Sequence, residues 1–456
     1  MKKVLVIAYY FPPNGGGGVQ RVTKFVKYLK NFNYTSIVLS TSTRFEAYDL
    51  TLERNIPRGV KVIRTKSWNL FFPLDMVQKL IKHFLSKRKG GHNQTITSDE
   101  LSSSVITFKD HLRAIITPFP DPQIGWIASI LPVALRTIRQ ENIDLIYATT
   151  SPNTSLILGA LLKRITGLPL LVDYRDPWIQ WFFLEKWEKI TWRYKLEKSL
   201  ERWVLKSADK IINVNPPLQK KHILEFPDID SANFLTLPNG YDKEDIESIE
   251  VASREQNKFR IVYFGKFYAK RSPRYFLNAL NELLNEHPYL RKKMEVIFIG
   301  EFDEPGSKIN KSIVDSLGLS DVVKILGYMA HRETLSHALS SNALLFIVGK
   351  QYQSENISTG KIFEYMALSK PIFACVPEGI ARSIIKKAGV GCVTSSENIF
   401  QIKTDLLYFV KQYLENDLSF RPNKNVLDMY ERKQLTKKLS KIMDNILDPL
   451  GESNAK

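Results

Sequence analysis

The chain has 456 residues, 44% of them hydrophobic and 25% charged. That is the balance of a globular protein longer than the roughly 250–300 residues at which one core stops growing, so two α/β domains are expected. No stretch reaches the roughly 18–20 apolar residues of a membrane-spanning helix, and Cys375 and Cys392 are too few for a disulfide framework and lack metal-ligand spacing, which points to a reducing cytoplasm. The net charge of +18 calls for an anionic partner. Zinc-finger spacing, an aromatic ribonucleoprotein motif and a basic heptad region are all missing, which sets nucleic acid aside and leaves phosphorylated substrates, sugar nucleotides and anionic lipid.

The apolar run Lys3–Tyr10 stops at Pro12-Pro13 with no small-residue cleavage site, so it reads as a buried first strand and not a signal peptide. The run Gly15-Gly16-Gly17-Gly18 follows. Val19, Val22, Phe25, Val26 and Leu29 then recur at helical spacing, with Arg21, Lys24, Lys27 and Lys30 expected on the opposite, solvated face. Strand, glycine loop and helix open a Rossmann-like unit. Short apolar runs at Ser36–Leu39, Leu145–Ala148, Leu168–Val172 and Lys210–Val214 alternate with helical segments, the pattern of a parallel sheet. A second series runs through Arg260–Phe264, Glu295–Ile299, Val322–Ile325, Leu344–Val348, Pro371–Ala374 and Gly391–Val393. The expected organisation is a first domain over 1–215, closing near Pro216-Pro217, a second over 216–420, and a C-terminal helical piece over 421–456 that returns to the first domain in many such architectures. The polar stretch Ser86–Ser104 reads as a loop.

Ligands of open α/β sheets bind beyond the carboxyl ends of the strands, where helix N-termini present free N–H groups. The glycines at 15–18 let a backbone approach a ligand there, although neither the dinucleotide spacing with its ribose-binding acid nor the Walker spacing is present. That counts against a nicotinamide dehydrogenase and a P-loop kinase. The sharper pattern is Ser358-Thr359-Gly360-Lys361-Ile362-Phe363-Glu364-Tyr365-Met366-Ala367-Leu368-Ser369-Lys370-Pro371. Ser358, Thr359 and Gly360 fall where a helix begins, so their N–H groups and the helix dipole suit a diphosphate.

This segment resembles the donor-binding signature of the group 1 glycosyltransferases (glycosyltransferase family 4). The resemblance implies an α/β, GT-B fold: two Rossmann-like parallel-sheet domains facing across a cleft, with retention of anomeric configuration. It gives Glu364 the donor ribose hydroxyls. The family's second glutamate, eight positions earlier, is Asn356 here, beside Glu355. Either Asn356 faces the transferred sugar through hydrogen bonds or the loop is shifted by one residue. Phe264-Gly265-Lys266 with Lys270-Arg271 resembles the family's first donor-domain strand and loop, which makes Lys266 and Arg271 the cations that neutralise the leaving diphosphate without a metal. Phe298-Ile299-Gly300 and Ile325-Leu326-Gly327-Tyr328 match strands at whose ends the nucleotide lies, with Gly300 as a main-chain contact.

In the first half, Tyr147–Pro152 and Val172-Asp173-Tyr174-Arg175-Asp176-Pro177-Trp178 resemble two strand ends of the family. Many relatives carry His and Asp at the second. Here it is Arg175-Asp176, which would orient an acceptor hydroxyl or stabilise positive character at the anomeric carbon. Asp228-Ile229-Asp230, in a polar linker, reads as a turn and not a metal site. The resemblance implies a metal-independent hexosyltransferase with no cofactor beyond its nucleotide-sugar substrate, a UDP-sugar being favoured over a GDP-sugar. The acceptor is a saccharide or polyprenyl-linked saccharide in capsule, O-antigen, lipopolysaccharide or exopolysaccharide biosynthesis. Two aromatic and basic stretches, Trp68–Lys89 and Trp178–Trp192, suit an anionic inner-leaflet surface, which predicts a cytoplasmic protein held peripherally on the plasma membrane. A GT-B epimerase is the alternative enzyme and a membrane-associated scaffold the non-enzymatic one.

Overall fold

The computed structural model describes residues 1–68, 118–179 and 191–448, apart from 16, 46–47, 49, 248, 254–257, 269–270, 351–353, 357–359 and 416–419. The chain divides into two compact units, Met1–Pro238 with Arg432–Lys456, and Asn239–Glu431.

The first unit is built on a seven-stranded, wholly parallel sheet in the order β3-β2-β1-β4-β5-β6-β7. Its strands are β1 Lys2–Ile7, β2 Tyr34–Thr41, β3 Lys61–Thr65, β4 Leu145–Thr149, β5 Leu170–Tyr174, β6 Lys210–Asn213 and β7 Phe234–Thr236. β1 and β4 are side by side at its centre, with Val6 opposite both Val38 and Tyr147. The central strands are buried on both faces, as their unbroken apolar sequences predict. β3 and β7 are additions to the sequence reading: one is a half-exposed edge and the other only three residues long.

Helix α1, Gly17–Leu29, buries Val19, Val22, Phe25, Val26 and Leu29. Its basic face differs from the expectation. Arg21 and Lys24 are buried, at 1% and 2% exposure, and only Lys27 and Lys30 remain on the outer side. Arg21 turns inward to a carboxylate on β5, and the Lys24 amine donates to Asn55 Oδ1 at 3.2 Å. Helix α2 is Trp126–Glu141, and helix α3, Thr154–Thr166, is buried along nearly its whole first half. Asp121 holds the start of α3 by accepting from Thr154 N at 2.9 Å and Thr154 Oγ1 at 2.5 Å, which supplies the missing N-terminal cap. Helices α4, Thr191–Ser207, and α5, Pro216–Glu225, follow.

The boundary expected at residues 215–216 lies further on. α5 and β7 complete the first sheet, and the chain leaves this unit at Pro238. The last helix, Arg432–Leu447, also belongs to the first unit. It lies against α1, with Leu435, Leu439 and Met443 fully buried and Asp444 accepting from Lys2 and Tyr34 at 2.7 and 2.8 Å. Each of those apolar side chains contributes about 1.5–3 kcal/mol on burial. Residues 421–431, grouped with this helix in the sequence reading, are part of the second unit.

The second unit has a six-stranded parallel sheet in the order β10-β9-β8-β11-β12-β13. Its strands are β8 Phe259–Phe264, β9 Met294–Ile299, β10 Val323–Gly327, β11 Ala343–Ile347, β12 Ile372–Cys375 and β13 Gly391–Thr394. Helices α6 Arg274–Glu286, α7 Ile309–Ser316, α8 His331–Leu339, α9 Gly360–Ala367, α10 Ile380–Ala388 and α11 Ile399–Leu414 flank it, with a hydrophobic core on each face. All six strands point the same way, so their carboxyl ends and the N-termini of α8 and α9 share one edge.

Candidate functional site

Candidate residues gather at the carboxyl edge of each sheet, and each group is built within its own unit. In the first unit Gly15 follows β1, Gly16 lies outside the described residues, and Gly17 and Gly18 open α1. The glycine run therefore ends as a helix N-terminus with unsatisfied N–H groups. Gly18 lies against Arg175: a Cβ built on it would stand 1.2 Å from Arg175 Nη1. Arg175 Nε donates to Asp176 Oδ2 at 2.9 Å, its Nη2 pairs with the same oxygen, and Ser151 Oγ donates there at 3.0 Å. Thr150 Oγ1 accepts from the backbone N–H groups of Arg175 and Asp176, at 3.0 and 3.1 Å. The two predicted residues are thus fixed against each other, beside the glycine run and the end of β4. The Asp176 side chain stays 27% exposed, open to a hydroxyl.

Two supports beneath this edge escaped the sequence reading. Asp173, the fourth residue of β5, is fully buried and takes a bidentate pair from Arg21, with Nε and Nη2 each at 2.8 Å. Tyr147 Oη donates to Asp173 at 2.6 Å, and Arg21 also donates to the carbonyls of Leu237 and Pro238, at 2.9 and 2.8 Å. Arg21 sits three residues beyond Gly18 and Asp173 two before Arg175, so the pair locks glycine helix, β5 and chain exit together. The second support is Trp178, which the sequence reading counted with a membrane-contacting stretch. It is 2% exposed, and its Nε1 donates to Glu197 Oε2 at 2.8 Å. Burial pushes the Glu197 carboxyl above its usual range, against the pull of Trp178 and Arg193. On sequence alone Glu197 and Glu201, one turn apart, look like a solvated helix face. The rest of that stretch, with Trp181, Phe182, Phe183, Lys186, Trp187 and Lys189, lies outside the described residues, as does the amphipathic segment beyond Trp68.

In the second unit Gly265 N donates to Ile299 O at 2.8 Å and Gly300 N to Gly327 O at 2.6 Å, so the ends of β8, β9 and β10 form one rim. A cavity of about 250 Å³ opens there, lined by Phe264, Gly265, Lys266, Ile299, Gly300, Glu301, Tyr328, Met329, His331 and Thr334. Lys266 pairs with Glu301 at 2.5 Å. From the other side α9 brings Lys361 over Gly265, where a Cβ would stand 1.9 Å from the Lys361 amine. That amine donates to Tyr263 Oη at 3.3 Å and lies 4.8 Å from the centre of the Tyr263 ring. Its pKa is lowered to about 7, chiefly because burial disfavours the ammonium form, then because the Arg271 charge repels it, with Glu364 pulling back.

Glu364, one turn into α9, is 3.9 Å from His331 Nε2 on α8 and has a 38% exposed side chain. Arg271 stacks over Tyr268 at 4.9 Å. Lys266, Arg271, Gly300, Lys361 and Glu364 are thereby placed on one edge, with His331, Glu301 and Tyr263 as members that no motif signalled. Gly360 starts α9, whereas Ser358 and Thr359 lie outside the described residues. Asn356 is half-buried on the short turn Ser354–Asn356, and Glu355 beside it is exposed, its backbone seated on Gly379. Asp228 pairs with Arg202 and Lys206, and Asp230 caps the turn Ser231–Asn233, which gives both acids of the Asp-x-Asp run a structural role.

Two family models match in succession: glycosyltransferase family 4 over residues 88–245 and glycosyl transferases group 1 over residues 245–427. The chain belongs to the group 1 glycosyltransferases. Among its relatives is the D-inositol 3-phosphate glycosyltransferase of Kineococcus radiotolerans, 24% identical over 203 residues, a match spanning 42% of this chain and 45% of the relative's length. Similar solved structures include a glycosyltransferase of Rickettsia africae, with a TM-score of 0.60, 14% identity and 98% of each chain covered. Another is HepE of Anabaena in complex with UDP and glucose, with a TM-score of 0.61, 14% identity, and 97% of this chain and 100% of the other covered. At such identities the likeness shows the fold: this group 1 glycosyltransferase has two Rossmann-like parallel-sheet domains in the GT-B class.

Proposed function

We propose that this chain is a retaining, metal-independent hexosyltransferase. It transfers a sugar from a nucleotide-sugar donor, UDP-linked in preference to GDP-linked, to a saccharide or polyprenyl-linked saccharide of a cell-surface polysaccharide. The observation that carries the reading is the second-unit rim, where Lys266, Arg271 and Lys361 meet around Gly265 with Glu364 one helical turn away. In this reading the cations and residues Ser358, Thr359 and Gly360 hold the diphosphate, Glu364 takes the ribose hydroxyls, and Asn356 faces the sugar. As the bond from the anomeric carbon to the diphosphate breaks, negative charge grows on the departing nucleotide, and fixed cations stabilise it by several kcal/mol. Arg175 and Asp176 orient the acceptor hydroxyl near the glycines at 15–18.

Calorimetric titration with UDP and GDP in the absence of divalent metal tests the donor site. One nucleotide is expected to bind, and Glu364→Ala and Lys266→Ala are each expected to weaken it about tenfold or more, the loss of a charged hydrogen bond being worth about 1.5–3 kcal/mol. Binding indifferent to both substitutions would remove these residues from the site.

The net charge of +18 supports a cytoplasmic protein resting on the anionic inner leaflet. Co-sedimentation with phosphatidylglycerol vesicles at low salt, lost at high salt, is the expected result. Equal recovery with neutral and anionic vesicles would refute the membrane partner.

A further inference from the structure

The Lys361 amine is an unusual place for a permanent charge. It is packed on the Gly265 backbone and the Tyr263 ring, and among the described residues its one hydrogen-bond partner is the Tyr263 hydroxyl at 3.3 Å and no carboxylate lies within 4 Å of it. The charged and titratable groups that face it come from three elements. Tyr263 is on β8, Lys266 and Arg271 are on the turn that follows, and Glu364 is on α9 itself, with Glu301 and His331 reaching the rim through Lys266 and Glu364. Arg271 repels an ammonium here and Glu364, held near His331, offsets only part of that. Lys361 is half-buried, and a charge drawn partly out of water without a close partner is costly. An incoming diphosphate would supply the counter-ion that the site lacks.

We propose that Lys361 couples nucleotide binding to proton uptake: its amine is neutral in the empty rim and takes a proton as the diphosphate arrives, so that the site gains a cation only when an anion is there to pair with it. This rests on the donor-site reading above and adds to it a protonation step on one named atom. The amine nitrogen accepts one proton from solvent, and no covalent bond to the ligand forms. The device keeps three cations from repelling one another on the empty rim, and it favours the phosphate-bearing form of the site below the pH at which the free amine titrates, about 7.

Below about pH 7 the amine is charged with or without ligand, and binding moves no proton onto it. Above it the free site has lost the proton and the bound site holds it, so uptake rises towards one proton and the association constant falls roughly tenfold per pH unit until the bound form also titrates. The nucleotide's own terminal phosphate, with a pKa of about 6, is already ionised in that range.

The test is calorimetry of the full chain with UDP and GDP at pH 6, 7.5 and 8.5, each in two non-phosphate buffers of different ionisation enthalpy, so that the difference in heat counts protons. For wild type, no net uptake at pH 6, where the nucleotide's own phosphate can release a proton, and uptake approaching one at pH 8.5 is expected. Lys361→Arg, which stays charged, should bind without uptake and without the fall in affinity. Lys361→Met should bind more weakly at every pH and likewise without uptake, each variant first being shown to unfold cooperatively. Wild-type binding with no uptake at pH 8.5, or uptake that survives Lys361→Met, overturns the proposal and leaves the donor site standing. Failure of wild type to bind either nucleotide at any pH overturns both.

Discussion

Replacing Asp173 with alanine is expected to destabilise the first unit by about 3–5 kcal/mol, the cost of removing one partner from a buried ion pair. Arg21 is 1% exposed and Asp173 fully buried, and the substitution would leave the guanidinium buried without its carboxylate, beside the carbonyls of Leu237 and Pro238. Arg21→Met should cost nearly as much, since it strands a carboxylate between Tyr147 and Thr149. The double change Arg21→Met with Asp173→Leu should cost less than the sum of the two, because neither charge of the pair is then left buried without the other. All seven tryptophans lie between residues 68 and 203, within the first unit, so tryptophan fluorescence in a urea titration reports that unit alone. A midpoint within about 1 kcal/mol of wild type for either single change would mean the pair is not what ties α1 to β5.

Gly300→Ala is expected to abolish tight nucleotide binding. Gly300 has φ of +110°, and a Cβ there would come within 2.4 Å of Gly265 O, the backbone over which Lys361 sits. The residue is strained by about 1–3 kcal/mol and the rim must open at the point where the cations meet. Gly306→Ala provides the control. Its φ of +81° is also unfavourable for alanine, but nothing lies within 4 Å of the added methyl. It should lose a similar amount of stability while binding UDP or GDP as wild type does, whereas Gly300→Ala should weaken binding at least roughly tenfold, or by about 1.4 kcal/mol. Equal affinities for the two variants would separate the Gly265–Gly300 contact from the nucleotide site.

Much of the architecture was legible because parallel strands buried on both faces must be apolar throughout, as Val-Leu-Val-Ile of β1 and Phe-Arg-Ile-Val-Tyr-Phe of β8 nearly are. Edge strands carry no such obligation, and β3, with the sequence Lys-Val-Ile-Arg-Thr, left no comparable trace. The candidate rim was legible for a related reason: ligand groups collect where strands end, and glycine after an apolar run marks those ends at Gly265, Gly300 and Gly327. The partners of each charge were not legible. Arg21 and Lys24 occupy positions that helical periodicity assigns to solvent, and only a carboxylate on β5, far away in sequence, turns Arg21 inward.

The sequence by itself determined two parallel-sheet units, the strand ends at which the candidate residues gather and the family to which the chain belongs, because burial and glycine placement are local demands written in short runs. Tertiary structure alone decided that α5, β7 and the helix Arg432–Leu447 join the first unit, that Trp178 is core, and that Lys361 lies over Gly265 with no carboxylate among the described residues within 4 Å. The seats of the last helix and of Lys361 depend on residues that meet across more than 90 positions of chain, as Lys2 and Asp444 do at a separation of 442 and Lys361 and Tyr263 at 98. No pattern read along the chain encodes a distance of that kind.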